Sequence, residues 1–305
     1  MTTSLFQDRI LPLLGEDPTE AVNWLKGKNL IAHTMQCPTC NTPMHWQSYP
    51  RAIDKYVWRC LNKECAKHKC RISIRHGSFY AGSKLPLQTW VHAMFLWCEE
   101  VGAQKSSKIL GISMKSIVDV WSFFREVCEN HFITNPIHLG GHGVIVEIDE
   151  SLFSHKPKHH RGRSTKSEQW VFGLADTSVK PCVGYMEIVE SRSAENLLPI
   201  IKRVARPGSV IHSDQWRAYT NITRDIGLAH HTVNHSLNFV DPVTGVHTQT
   251  IESYWNRQKS KIKTMRGCRR NFLNSYLQEF MWRERYSSNA LDNLCNHIAS
   301  KYILH

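Results

Sequence analysis

An α/β domain built on a mixed five-stranded sheet, preceded by a cysteine-rich segment and a helical region, is what this sequence predicts. Three observations carry that prediction. In the second half of the chain, three strand-like runs are followed by alternating helix-patterned and strand-patterned segments. Near the N-terminus, two close pairs of cysteines flank a strand-like stretch. Between these regions lie two helix-patterned segments joined at a glycine. A chain of 305 residues has room for two or three domains, and 41% apolar with 21% charged residues describes an ordinary folded protein.

Residues 1–33 read as a helical arm. Leu11, Leu14, Val22, Leu25 and Leu30 supply apolar anchors, and Thr19 is placed to cap the helix that carries Val22 and Trp24. Residues 34–83 hold Cys37 and Cys40, then Cys60 and Cys65. Two close thiol pairs separated by a hairpin-length stretch are what a zinc ribbon needs, since tetrahedral Zn²⁺ takes one pair from each of two turns. Tyr56-Val57-Trp58 supplies strand character between them. A structural Zn²⁺ on Cys37, Cys40, Cys60 and Cys65 is therefore expected, with Cys70 as the alternative fourth ligand and His68 nearby.

Residues 84–139 read as helical. Trp90, Met94 and Trp97 recur at helical spacing. A short helix ending at Gly111, a turn, an N-cap at Ser113 and a second helix follow helix-turn-helix grammar. The second helix would turn Lys115, Ser116 and Asp119 outward, toward a major groove. Plain helix packing explains the same pattern without DNA.

Gly140-Gly141-His142-Gly143 marks a linker into residues 140–290. Strands are expected near 144–151, 168–176, 182–190, 209–214 and 229–235, and helices near 193–205, 216–226 and 248–264. Three strands and then α/β alternation is the order of a ribonuclease-H-like domain, in which the first and fourth strands are neighbours. Residues 291–305 are expected to be a tail.

The formal net charge is +12, with 18 histidines besides, which favours a polyanionic partner, nucleic acid before anionic membrane. No apolar run approaches the roughly 18–20 residues that span a bilayer. Met1–Pro18 lacks the basic start and apolar core of an export signal, so the ten cysteines point to metal binding in a reducing compartment.

Three carboxylates carry the chemistry. Asp149 closes the apolar run Val144–Ile148, Asp214 closes Val210–Ser213, and Glu252 opens a helix-patterned stretch. Neighbouring strands would bring Asp149 beside Asp214. Along the helix, Ile251, Trp255 and Ile262 form a stripe able to face the sheet, while Glu252, Asn256, Lys259 and Lys263 form the next. Oxygen-only ligands suit Mg²⁺ (or Mn²⁺), and two such ions can clamp both oxygens of a phosphoryl transfer. Glu147 shares the face of Asp149 and is its rival, with Glu150 the weaker one. Lys156, Lys158, His159, His160, Arg161 and Arg163 form a basic loop after the first strand, and with Lys115, Lys259 and Lys263 are candidate DNA contacts. His212, His235 and His247 are candidates to orient the acids or touch DNA, with structural hydrogen bonding an equal reading for each, whereas Trp216 and Tyr219 read as core rather than as base-stacking residues.

These residues reach a family. The run Val144–Ser151, the segment Ile211–Tyr219, the run Val233–Ser236 and the segment Asp241–Trp255 resemble DDE transposases of the Merlin type and their ISXO2-like bacterial relatives. The resemblance extends N-terminally through Arg75–Leu85 and the cysteine-rich segment and ends near Phe280–Tyr286; extra length at Ala66–Lys69 keeps Cys65 and Cys70 both open as ligands. It implies that Asp149, Asp214 and Glu252 are a metal-binding triad for cut-and-paste transposition. It also implies two Mg²⁺ or Mn²⁺ per site, double-stranded DNA (terminal inverted repeats and target) as partner, and a homodimer or larger assembly. The location would be nuclear in a eukaryote and the cytoplasm or nucleoid in a bacterium. Two rivals remain: a domesticated DNA-binding protein without activity, and a ribonuclease-H-type nuclease or resolvase.

Overall fold

The computed structural model describes residues 6–153, 168–234 and 237–304. The chain divides into two compact units, Met1–Asn130 with Tyr286–His305, and His131–Arg285.

In the first unit, α1 (Thr19–Gly27) buries Ala21, Val22 and Leu25. The capping expected of Thr19 is supplied by a residue just before it: Asp17 Oδ1 accepts from Thr19 N and Oγ1 at 3.0 and 2.7 Å. A three-stranded antiparallel sheet follows in the order β1 (His45–Ser48), β2 (Tyr56–Arg59), β3 (Arg71–Ser73). The β1–β2 hairpin is the stretch that separates Cys40 from Cys60. Below it the buried pair Arg75–Asp54 closes with two hydrogen bonds of 2.6 Å, and Asp54 also accepts from Leu87 N at 3.0 Å. That bond anchors the start of α2 (Leu87–Cys98), whose Trp90, Met94 and Trp97 are buried at helical spacing.

The helix-turn-helix grammar is present. α3 (Ala103–Leu110) ends at Gly111, whose φ of 64° is the left-handed geometry that a C-terminal glycine permits. α4 (Met114–Thr134) begins where Ser113 Oγ accepts from Ser116 N at 3.0 Å, the expected N-cap. Ile117, Val120 and Phe124 face inward, which leaves Lys115 and Asp119 exposed and Ser116 half-buried.

The second unit is a five-stranded sheet, β4 (Ile145–Leu152), β5 (Trp170–Asp176), β6 (Val183–Val189), β7 (Val210–Asp214) and β8 (Ala229–Val233), in the order β6-β5-β4-β7-β8. β4 pairs antiparallel with β5 and parallel with β7; β5–β6 is antiparallel and β7–β8 parallel. An antiparallel meander continued by parallel strands through crossover helices is the ribonuclease-H-like architecture, with the first and fourth strands adjacent as expected. Arg203 of α5 (Ala194–Val204) pairs with Glu187 on one face of the sheet. The helix expected over 216–226 is broken into a 3-10 turn (Arg217–Tyr219) and the short α6 (Ile222–Ile226), which ends at Gly227 with φ 80°.

The opposite face takes α7 (Gln249–Thr264). Close approach rests on two glycines. A Cβ at Gly173 would run into the Trp255 ring, and one at Gly184 into the Tyr254 ring. α8 (Arg270–Tyr286) adds Glu284, a buried carboxylate that accepts from Gly184 N at 3.1 Å, Tyr254 Oη at 3.3 Å and Gln258 Nε2, so that β6, α7 and α8 share one acceptor. Residues 291–305, expected as a tail, instead carry most of α9 (Ala290–Lys301). Leu291, Leu294, Cys295 and Ile298 are buried in the first unit. Among the described residues, no helix is long and apolar enough to cross a membrane.

Candidate metal centres and the acidic cavity

Strand register brings the first two acids together. Parallel pairing of β4 with β7 ends at Glu147 opposite His212, and the same offset two residues further sets Asp149 alongside Asp214. β4 itself runs on to Leu152 against β5, so Asp149 lies within its strand, just past the point where β7 stops pairing. Asp214 is the last residue of β7 and accepts from Trp216 N at 2.9 Å. Glu252 projects from the first turn of α7. All three line one small cavity of about 100 Å³, together with Ile148 and Thr248.

Two contacts register α7 against β4. Trp255, lying across Gly173, donates its indole N–H to Asp149 Oδ2 at 3.0 Å. Four residues earlier, Ile251 N donates to Glu147 Oε2 at 2.9 Å, and His247 Nδ1 lies 3.2 Å from the other oxygen of Glu147. The two rivals of Asp149 thereby part from it. Glu147 is fully buried at the positive end of α7 and holds the helix in place. Glu150 points to the other face, beside the buried phenol of Tyr219.

The acids crowd one another. Burial pushes Asp149 up to about 6 against the opposing Trp255 bond, and the charges of Asp214 and Glu252 add to the rise. Glu150 is pushed up to about 7, again mainly by burial. A half-buried cavity with several carboxylates and only oxygen donors is chemically suited to a hard divalent cation. Lys259 is half-buried on α7, with its ammonium 5.4 Å from the Phe153 ring and its charge felt at Asp149; Lys263 is exposed one turn on. Lys156, Lys158, Arg161 and Arg163, and likewise His235, lie outside the described residues.

His212 is buried, and its basicity is lowered by burial and by the neighbouring His231. Tyr219 is core at 1% exposure, as expected, but Trp216 is 39% exposed, against the core role that its sequence position suggests. The broken helix explains the difference: without a continuous helix over 216–226, the two aromatics share no buried stripe. Sequence reasoning also misses Trp170 and Arg192. The Arg192 guanidinium rests 4.1 Å from the Trp170 ring and 4.7 Å from the Trp216 ring. A larger groove of about 400 Å³ lies between β6 and α5, with Glu187, Glu195 and Arg203 in its lining; it shares no residue with the acidic cavity.

In the first unit, Cys37, Cys40, Cys60 and Cys65 bring their sulfurs within 4.8 Å of one another. Among the described residues this is the one group of three or more potential ligands so tightly gathered. Cys37–Cys65 and Cys40–Cys60 are 3.9 and 3.7 Å apart. Hydrogen bonds from Thr42 hold the Cys40 thiol down to about 6, while burial drives Cys65 up to about 12. Four gathered thiols suit Zn²⁺. Cys70 lies beside Cys37 but outside the group of four.

Residues 138–285 match the ISXO2-like transposase domain. The chain is 28% identical over 103 residues to an uncharacterized transposase-like protein of Haemophilus influenzae, covering 33% of this chain and 80% of that one. It is 26% identical over 193 residues to male abnormal protein mab-31 of Caenorhabditis elegans, covering 57% of this chain, and spans only 45% of that relative's length. Slight structural likeness extends to a simian T-cell lymphotropic virus intasome in complex with a PP2A regulatory subunit, at TM-score 0.32 and 14% identity over 63% of this chain and 67% of that one. For the Mos1 strand transfer complex the TM-score is 0.23 at 10% identity, over 71% and 78% of the two chains. The matched stretch 138–285, just under half of the chain, is similar to the ISXO2-like transposase domain and contains all three cavity acids.

Proposed function

We propose that the chain is a DNA transposase that cuts the ends of a mobile element and joins them to target DNA, with Asp149, Asp214 and Glu252 as its metal-binding acids. The observation that carries this reading is that these three acids, from two strands and a helix, line one cavity inside an ISXO2-like transposase domain. Bound there, Mg²⁺ or Mn²⁺ would activate water for phosphodiester hydrolysis and offset charge on the reacting phosphate during cutting and joining. The residues' own contribution is positional. Trp255 fixes one oxygen of Asp149, Glu147 fixes the start of α7 and with it Glu252, and Trp216 N–H fixes Asp214. Lys259 and Lys263, on the same stripe of α7 as Glu252, supply cationic contacts for DNA phosphates, joined by Lys115 of α4 and by the basic loop Lys156, Lys158, Arg161, Arg163.

The four-cysteine group takes structural Zn²⁺ in this reading and, with α3 and α4, recognises the terminal inverted repeats. Pairing two ends requires at least a homodimer. A second reading, a domesticated DNA-binding protein that keeps the fold without the chemistry, has one point in its favour: a relative is named as a male abnormal protein rather than as a transposase. DNA bearing the inverted repeats that flank the coding region separates the two. The first reading predicts Mg²⁺-dependent cutting that exposes a 3′-hydroxyl, followed by joining to a second DNA. Binding without cutting, in Mg²⁺ and in Mn²⁺, supports the second.

A further inference from the structure

The exposed indole beside the acidic cavity points to a nucleotide-binding subsite. Trp216 follows Asp214 by two residues and is tied to it through its own backbone N–H. Its ring is fixed as well, because Nε1 donates to the carbonyl of Arg192 at 3.1 Å. The Arg192 guanidinium lies against both the Trp216 and the Trp170 rings. Trp170 is steadied in turn by its Nε1 bond to Glu168 at 3.0 Å. Among the described residues, the guanidinium itself makes no hydrogen bond or ion pair, although its charge reaches Glu150 on the neighbouring strand face.

A monomeric fold has little reason to keep such an arrangement. An indole that is 39% exposed and locked in orientation contributes little burial. A half-buried arginine with no carboxylate partner among the described residues gives up hydration without an ion pair to offset it. Both features make sense once a ligand supplies what is missing, a flat π-face for the indole and an anion or acceptor for the N–H edge of the arginine. One nucleotide offers both in its base and its phosphate. A paired base stays inside its stack and cannot present its face, so the nucleotide must be unpaired.

We propose that Trp216 and Arg192, backed by Trp170, bind an unpaired nucleotide next to the phosphate positioned at Asp149 and Asp214, so that the protein prefers DNA opened at the cut site over intact duplex. The base stacks on the open face of Trp216 and the adjacent phosphate meets Arg192. This deepens the transposase reading and rests on it for the location of the cut.

The test is a binding measurement without catalysis, in Ca²⁺. The probes are a duplex of arbitrary sequence with blunt ends and the same duplex with a short splayed end carrying 2-aminopurine. The wild-type protein should bind the splayed probe about tenfold more tightly and quench its fluorescence. Trp216→Ala, which keeps the backbone N–H that holds Asp214, should abolish both effects, and a circular dichroism spectrum like that of the wild type shows that the variant is folded. Trp216→Tyr, which keeps an aromatic face, should retain most of the preference. A wild-type protein that binds both probes equally, or a Trp216→Ala variant that still prefers and quenches the splayed probe, overturns the proposal. Absence of cutting in Mg²⁺ would count against the transposase reading while leaving this preference measurable.

Discussion

The indole N–H of Trp255 donates to Asp149 Oδ2 across a strand position that carries no side chain, Gly173. Gly173 pairs directly with Asp149 in the β4–β5 ladder, so the glycine both admits the ring and places it beside the carboxylate. A helix residue thereby fixes a strand residue at the mouth of the acidic cavity.

Trp255→Phe removes the donor and also the part of the ring that fills the notch at Gly173. Cleavage should fall by about 10- to 100-fold, the usual cost of losing a group that orients a metal ligand. Melting should fall as well, because a cavity opens over Gly173. Cleavage at the wild-type rate would show that the bond is incidental to the chemistry.

Gly173→Ala acts on the same pair from the other side. The added methyl must displace Trp255, and overpacking of this kind costs about 1–3 kcal/mol. The variant should melt several degrees lower and cut poorly. Unaltered melting would mean that α7 can lift off the sheet without cost.

Asp149 also leaves a signature in the metal-free protein. Its folded pKa, pushed up to about 6, exceeds the ordinary aspartate value of 3.8, so the fold favours the protonated form. The associated stability is present below about pH 4 and is lost as pH rises through about 6. Asp149→Asn removes that loss while still accepting from Trp255. Without metal at pH 7 it should be more stable than wild type by about 1–2 kcal/mol, allowing for solvent screening of a half-buried group. Added Mn²⁺ should raise the melting temperature of the wild type only. A variant less stable at pH 7 would place the carboxylate among favourable partners instead.

For the cysteine group, one Zn²⁺ per chain is expected on purification without chelator. Cys65→Ser should lose it and destabilise the first unit, while Cys70→Ser should retain it. Zinc retained by Cys65→Ser and lost by Cys70→Ser would exchange their roles.

Much of this arrangement is legible in the sequence because it depends on periodicity. Alternation puts Glu147 and Asp149 on one strand face, and helical spacing puts Ile251, Trp255 and Ile262 against the sheet. What escapes are contacts between positions far apart in the chain. Nothing local marks Gly173 and Gly184 as notches for Trp255 and Tyr254. Trp216 reads as core only if one helix runs over 216–226, where a 3-10 turn intervenes instead. Trp170 and Arg192 meet it only through tertiary structure. Residues 291–305 read as a tail because the burial of Ala290–Lys301 depends on residues near the opposite end of the sequence.

Neutralising Lys259 and Lys263 together should weaken binding to DNA of any sequence and flatten its salt dependence by up to about 0.9 log unit for each phosphate no longer neutralised. Discrimination between element ends and random DNA should hardly change, since phosphates carry no sequence. An unchanged salt slope would transfer the phosphate-binding role to the loop of Lys156, Lys158, Arg161 and Arg163.

The most direct test is Mg²⁺-dependent cleavage of DNA carrying the element's ends by the wild type and by Asp149→Ala, Asp214→Ala and Glu252→Ala, with binding of the same DNA measured in parallel. Each substitution should abolish cutting while binding stays within about twofold, because affinity comes mainly from cationic side chains outside the cavity. Full cleavage by any one of the three variants would contradict the assignment of these acids as one metal-binding triad.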